Sequence, residues 1–405
     1  MIYVNLFLSI LFIIISAKKY TLDHPVVFFG ILNFVYIVVP AFIFYYLYQD
    51  IPQGISVPKS IYLNHFKQSI NLTFIYFISC FFGLLTIYKF KHSVVFFDNI
   101  KLSNKLLKII LIISIALYVI PQFLAIGGIK QWINAGWVEM ERSRRAFRAW
   151  TQFPLMISFL LLNRSRLNFF SFVLIFLTAV FSFRLGNRRI IFMLILSLIP
   201  ILYDKFEVMR RNQKIIIASI FCFMIIFGLA VPILRSGINS FSYKNIFLLY
   251  EGNGVYAGFL YNLQETQSTN INILNSLYYI LIEPILNFVG WFLDVEKSSF
   301  ALRTMELAKY YTGGTGLSAM PIIEWYSYLG SVGVIIAPII YIFILSIFKY
   351  QPITKSFAYL ILFNYFRGDL TTGFDFFVYF SAFFLVIFFG VHLITKVGMN
   401  YKADR

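Results

Sequence analysis

Apolar residues in this chain come in long runs rather than at alternating or helical spacing. Eleven such runs fall at about 1–17, 25–48, 69–88, 106–126, 151–163, 168–184, 189–203, 215–234, 319–347, 354–367 and 375–395. A helix of about 20 apolar residues matches the hydrocarbon thickness of a bilayer. The shorter runs, 151–163, 168–184, 189–203 and 354–367, fit the interior of a helix bundle. The pattern predicts an all-α polytopic membrane protein of about 11 transmembrane helices. The first run starts at Met1 with no basic segment before it and no small-residue cleavage site after it, and so reads as a retained helix. The polar stretches divide the chain into helices 1–8 (1–234), one large loop (235–318) and helices 9–11 with a tail (319–405).

That loop is 84 residues long, too long for a plain connector. Residues 272–293 within it, NILNSLYYILIEPILNFVGWFL, are nearly apolar enough for a twelfth span. Glu283-Pro284 in the middle predicts instead an interfacial or re-entrant pair of helices. A full span there would also reverse the side on which the C-terminus lies. The loop's polar parts carry Glu251, Tyr256, Asn262, Glu265, Asp294, Glu296, Arg303 and Glu306. The loop ends in a glycine-rich run, Gly313, Gly314 and Gly316, directly ahead of the ninth helix. Glycines there allow close backbone approach to a ligand, and a helix start favours an anion. No lysine-serine ending follows, so a nucleotide loop is not indicated. Glu324 lies about one turn into the helix, where a carboxylate is costly unless paired or functional. Gly330 and Gly333 read as helix-packing positions.

Composition agrees with the runs. The chain is 60% hydrophobic, 20% aromatic and only 13% charged, with a mean hydropathy of +0.79, which no soluble domain of 405 residues matches. Its Ile, Phe, Lys and Asn bias points to an AT-rich bacterial genome. Cys80 and Cys222 both sit in apolar runs, against a disulfide framework or a cysteine metal site. His24, His65, His92 and His392 are scattered, and no metal or cofactor is expected.

The net charge of +17 is explained by topology rather than by nucleic acid. With the N-terminus outside and the C-terminus inside, the inner segments hold 18 basic residues against five acids, and the outer ones 16 against 12. This satisfies the positive-inside rule. The inner set is 13 Lys and five Arg; the outer set is six Lys and 10 Arg. Topology alone does not select arginine over lysine. Guanidinium groups match phosphate oxygens in bidentate fashion and stay charged near lipid. Arg142, Arg144, Arg145 and Arg148 cluster in the outer loop 127–150, beside Trp132, Trp137 and Trp150. Arg184, Arg188 and Arg189 occupy the turn FRLGNRR, Arg235 leaves the eighth helix, and Arg367 stands with Asp369 near the end of the tenth. Local ion pairs and snorkelling to lipid head groups are the competing roles for these residues.

The pattern resembles the Wzy-type oligosaccharide repeat unit polymerases. The residues that carry the likeness are the GGTG run at 313–316 with Glu324, Tyr326, Gly330 and Gly333, RLGNRR at 184–189, and FRGDL at 366–370. Arg303 and Gly314 also fit an arginine, ten residues, glycine spacing described for such polymerases. The resemblance implies a metal-independent GT-C-like membrane glycosyltransferase. It would extend glycan chains carried on undecaprenyl pyrophosphate at the outer face of the bacterial inner membrane, making O-antigen or capsule. Implied partners are lipid-linked oligosaccharides, membrane lipids and a chain-length regulator. It implies Arg145, Arg184, Arg188, Arg189, Arg235, Arg303 and Arg367 as pyrophosphate contacts, Gly313, Gly314 and Gly316 as backbone space for the glycan, and Glu324 as general base or orienter. Related O-antigen ligases are expected to use an outer histidine. Only His65 lies outside here, far from the motifs in sequence, which favours polymerase over ligase. A flippase or transporter would place charges at mid-membrane and repeat its halves; few mid-span charges and no internal repeat are present.

Overall fold

The computed structural model describes residues 1–51, 57–86, 251–266, 273–289, 320–347 and 352–367 as continuous stretches, with short pieces and single positions elsewhere. Among the described residues every regular element is a helix. The chain forms two compact units. One is built from Met1–Val95, Arg235–Lys349 and Ala358–Tyr379; the other from Phe96–Leu234, Tyr350–Phe357 and Phe380–Arg405. Nearly all the continuous stretches belong to the first unit.

Helix α1 (Ile2–Lys19) buries Asn5, Ser9, Phe12 and Ser16 and exposes Tyr3, Val4, Phe7, Ile10 and Ile14. Its polar Asn5, Ser9 and Ser16 face protein together with Ile2 and Phe12, while most of its large apolar residues face outward, the reverse of a water-soluble helix. The Asn5 amide donates to the Ile70 carbonyl at 2.9 Å. Next comes α2 (Pro25–Asn33), whose Val26 amide donates to the His24 ring at 3.2 Å and whose Pro25 has no amide to satisfy. A π-turn (Phe34–Val38) joins it to α3 (Val39–Leu47). The turn ends two residues before Pro40. A proline removes one helical hydrogen bond and crowds the carbonyl four residues back, so widening the preceding turn keeps the helix running.

Helix α4 (Lys59–Thr86) packs on α1. Helix α5 (Glu251–Thr266) packs against α3 and α4. A second run comprises α6 (Ile273–Leu277), a π-turn (Tyr278–Ile282) and α7 (Glu283–Val289). Here too the π-turn ends two residues before a proline, Pro284. Helices α8 (Pro321–Ile347) and α9 (Pro352–Arg367) complete the described set; α9 belongs to the first unit from Ala358 on. There Tyr359 stacks on Phe28 at 3.9 Å, and Phe366 meets Phe29 edge-on at 5.6 Å.

Among the described residues, four helical stretches are long and apolar enough to cross a membrane: Ile2–Lys19, Pro25–Asp50, Lys59–Thr86 and Pro321–Ser346. They fall on the first, second, third and ninth expected spans. The tenth, 354–367, lies on α9, which has 16 residues. The expected spans 106–126, 151–163, 168–184, 189–203, 215–234 and 375–395 lie outside the described residues or touch them only at scattered positions.

Side-chain contacts sort the ends of these helices. Tyr3 bonds Tyr46, and Tyr48 stacks on Tyr62 at 4.0 Å, which brings the start of α1, the end of α3 and the start of α4 together. Lys19 donates to the Leu84 carbonyl and Tyr20 to Ser346 at 2.8 Å, at the opposite end. Gln68 reaches Tyr326, which puts the start of α8 with the start of α4. Helices α1, α4 and α8 therefore run one way and the α2–α3 run the other.

Within 235–318 the outcome differs from the expected polar loop. Every residue of α5 from Gly252 to Leu263 is buried. Its low hydropathy comes from small and internally satisfied residues. Gly252, Gly254, Ala257 and Gly258 permit close packing. The Tyr256 hydroxyl lies 2.6 Å from that of Ser69, and the Asn262 amide donates to the Gly258 carbonyl at 2.7 Å and to Thr304 Oγ1 at 3.0 Å. The segment expected to be a pair of helices about Glu283-Pro284 is one continuous helical run. It exposes Leu274, Leu277, Tyr278, Leu281, Ile282, Ile285 and Leu286 along one face and turns Ser276 and Glu283 inward.

Candidate functional site

The start of α8 organises the site, and a break in the helix shapes it. Gly330 has φ 60° and ψ −148°, a conformation open essentially to glycine alone. The break bends the chain so sharply that a Cβ on Gly333 would lie 2.1 Å from the Trp325 carbonyl oxygen. Gly330 and Gly333 are thus not helix-packing positions, as the sequence had implied. They permit a discontinuity inside an apolar helix, where interrupted backbone hydrogen bonds need other partners. The buried Ser276 hydroxyl supplies one by donating to the Tyr328 carbonyl.

Arg303 stands beside this break. The neighbouring Thr304 is fully buried and tied to α5 through Asn262. The Arg303 guanidinium grips Glu283 in bidentate fashion, Nη1 at 2.7 Å from Oε1 and Nη2 at 3.4 Å from Oε2. Its Nη2 also donates to the Tyr328 hydroxyl at 3.3 Å. Its plane lies over the Tyr279 ring, 4.6 Å from the centroid, and Tyr279 stacks on Tyr328 at 5.4 Å. Glu283 is 2% exposed and Arg303 34%, so the carboxylate is sealed beneath a cation that still reaches the surface. Burial alone would lower the guanidinium's pKa. The hydrogen bond to Glu283 and the electrostatic pull of Tyr328, Glu283 and Tyr279 outweigh it and hold the pKa above its usual value.

Glu324, in the first turn of α8, is 1% exposed. Tyr341 and Tyr365 lie within electrostatic reach of it. These two share a closed polar knot with Trp325, whose Nε1 donates to Tyr341 at 3.0 Å and to Tyr365 at 3.1 Å, while Tyr341 donates to Tyr365 at 2.7 Å. A carboxylate so enclosed is placed to orient neighbouring hydroxyls rather than to meet a ligand directly. Because Tyr365 meets Trp325, the end of α9 lies beside the start of α8. Arg367 is the last residue of α9, and its side chain falls outside the described residues. Arg145, Arg184, Arg188, Arg189, Arg235, Gly313, Gly314 and Gly316 also lie outside them.

His65 departs from expectation. Far from the motifs in sequence, it is linked to one of their residues, Tyr326, through Gln68. Its ring nitrogens lie 3.2 Å from Gln68 Oε1 and 2.7 Å from Gln264 Oε1, and Gln68 Nε2 donates to the Tyr326 hydroxyl at 3.2 Å. Sequence reasoning missed this chain, and also Glu283 as the partner of Arg303. In the sequence Glu283 marks a helix interruption, and an acid in an apolar stretch is also a signal that a cation must face it.

The chain matches no protein-family model, no curated protein and no solved structure.

Proposed function

We propose that this chain is a multi-pass membrane glycosyltransferase that polymerises oligosaccharide repeat units carried on undecaprenyl pyrophosphate, at the outer face of a bacterial inner membrane. The observation that carries the reading is the arginine bias, ten on the expected outer side against five on the inner. Supporting it, Arg303 is fixed against Tyr328, two residues before the break in α8 and one turn beyond Glu324. In the reaction, an acceptor sugar hydroxyl attacks the anomeric carbon of the donor glycan. The bond to pyrophosphate breaks, the electron pair leaves with the pyrophosphate, and the hydroxyl proton passes to a base. Such a reaction depends most on cations placed at the departing phosphates. Arg303 fills that role, joined by Arg145, Arg184, Arg188, Arg189, Arg235 and Arg367. Gly313, Gly314 and Gly316 give the glycan backbone space, and Glu324 orients hydroxyl groups behind the site. A chain-length regulator is the implied protein partner.

A ligase-like transferase is the second reading, and the link from His65 through Gln68 to Tyr326 favours it. The two readings differ in product, since a polymerase lengthens the lipid-linked chain and a ligase moves it to another acceptor. Deleting the gene in the producing strain separates both from a flippase. The expected glycan profile keeps a single exported repeat unit and loses all longer chains. Loss of the single unit as well would favour the flippase, and long lipid-linked chains that fail to reach their final acceptor would favour the ligase.

A further inference from the structure

Asn33 closes α2 and is fully buried. Its Nδ2 donates to the Phe29 carbonyl at 2.9 Å, which fixes which end of the amide is the oxygen. Among the described residues no group meets that oxygen, Oδ1. Tyr76, on α4, is likewise fully buried, and its hydroxyl has no partner among them either. The two side chains face each other without the geometry of a direct bond. Each such group is costly to bury unless something satisfies it.

The neighbouring knot adds a third. Trp325, Tyr341 and Tyr365 bring together three N–H and O–H protons and two oxygens. The indole proton is shared between both oxygens, and one phenol proton joins them, so the other phenol proton has no acceptor inside the knot. With Tyr341 donating, that proton belongs to Tyr365, and no described residue takes it in a direct bond. Tyr365 is 3% exposed and lies within electrostatic reach of Tyr76 and Glu324. Helix α2 leans on the same place, since Phe29, one turn before Asn33, meets the Tyr341 ring at 6.0 Å and the Phe366 ring at 5.6 Å.

We infer that Asn33, Tyr76 and Tyr365 enclose a binding site for buried water, where α2, α4 and α9 meet beside Glu324. The water accepts from the two phenols and donates to Asn33 Oδ1, about as many bonds as a buried water usually makes. Its second proton is left for the Glu324 side of the cluster, where a dipole that can turn eases the burial of a carboxylate. This inference stands apart from the reaction proposed above and holds whatever the chain joins or moves.

The test uses the full-length protein in detergent, with water itself as the probe. Tyr76→Phe keeps the ring's volume and deletes only the hydroxyl. With water bound, it strips that water of a partner and is expected to lower the unfolding midpoint by about 2 °C. A dry site gives the opposite sign, because deleting an unsatisfied buried hydroxyl stabilises. Asn33→Leu completes a double-mutant cycle, and its lost bond to Phe29 cancels within the cycle. A shared water makes the double variant fall by less than the sum of the two single changes. In infrared difference spectra of wild type against Tyr76→Phe, a water O–H stretching band is expected that shifts in heavy-oxygen water. A raised or unchanged midpoint in Tyr76→Phe, or additive effects in the cycle, would overturn the site. Coupling without the isotope-sensitive band would overturn it too, since Asn33 and Tyr76 would then bond directly. If Asn33→Leu fails to fold, the sign of Tyr76→Phe and the band decide.

Discussion

Arg303→Ala is expected to abolish chain extension and to destabilise the protein, and adding Glu283→Gln is expected to restore stability without restoring extension. The reason lies in the asymmetry of the pair. Glu283 is buried and Arg303 is its bidentate partner. Removing the guanidinium leaves a buried carboxylate without its bidentate countercharge. Breaking a fully buried pair costs roughly 3–5 kcal/mol; with a third of Arg303 open to solvent, about 2 kcal/mol is the better figure. Glu283→Gln removes the stranded charge and should return most of that. Extension should remain at least about 100-fold down, the scale of losing one donor to a developing oxyanion. Thermal unfolding in detergent reads the first effect and the length distribution of lipid-linked glycan reads the second. Full-length polymer from the double variant would show that Arg303 serves Glu283 alone.

The second large effect is expected at the helix break. Gly333→Ala would drive a methyl group to within 2.1 Å of the Trp325 carbonyl oxygen, which belongs to rigid backbone rather than to a movable side chain. The chain must straighten or the turn must open, and either disturbs the Trp325, Tyr341 and Tyr365 knot. A loss of about 3 kcal/mol or more follows. Gly330→Ala forces a side chain into a glycine-only conformation and is expected to cost about 2 kcal/mol. If α8 were a plain packed helix, as the sequence implies, Gly330→Ala would raise helix propensity and stabilise it by up to about 1 kcal/mol. The sign of that one change in unfolding midpoint distinguishes the two cases.

What was legible in the sequence follows from what a bilayer demands. Apolar runs at 1–17, 25–48, 69–88 and 319–347 announced helices because a span must satisfy its backbone internally whatever its neighbours are. Helix α5 was hidden for the converse reason. Its burial rests on glycines and on Tyr256 and Asn262 finding partners on α4 and beside Arg303, facts of three-dimensional arrangement that hydropathy does not register. The site divides in the same way. Arg303 and Glu324 stood out as charges next to apolar sequence. Glu283, twenty residues from Arg303, and Gln264, 199 residues from His65, had no local pattern to tie them to their partners. The break at Gly330 could have been read from the Gly-Ser-Val-Gly spacing only as a packing motif, since close helix approach and helix interruption draw on the same residue.

The central claim is that this one chain joins lipid-linked repeat units into polymer, and reconstitution tests it most directly. Purified protein would be placed in liposomes with undecaprenyl-pyrophosphate-linked repeat units from the producing strain and no other enzyme, and the products resolved by length. The expected result is a ladder of lipid-linked chains that grows with time and is absent with Arg303→Ala. A folded wild-type protein that leaves only single repeat units, under conditions where its own lipid-linked substrate is present on the outer leaflet, would contradict it.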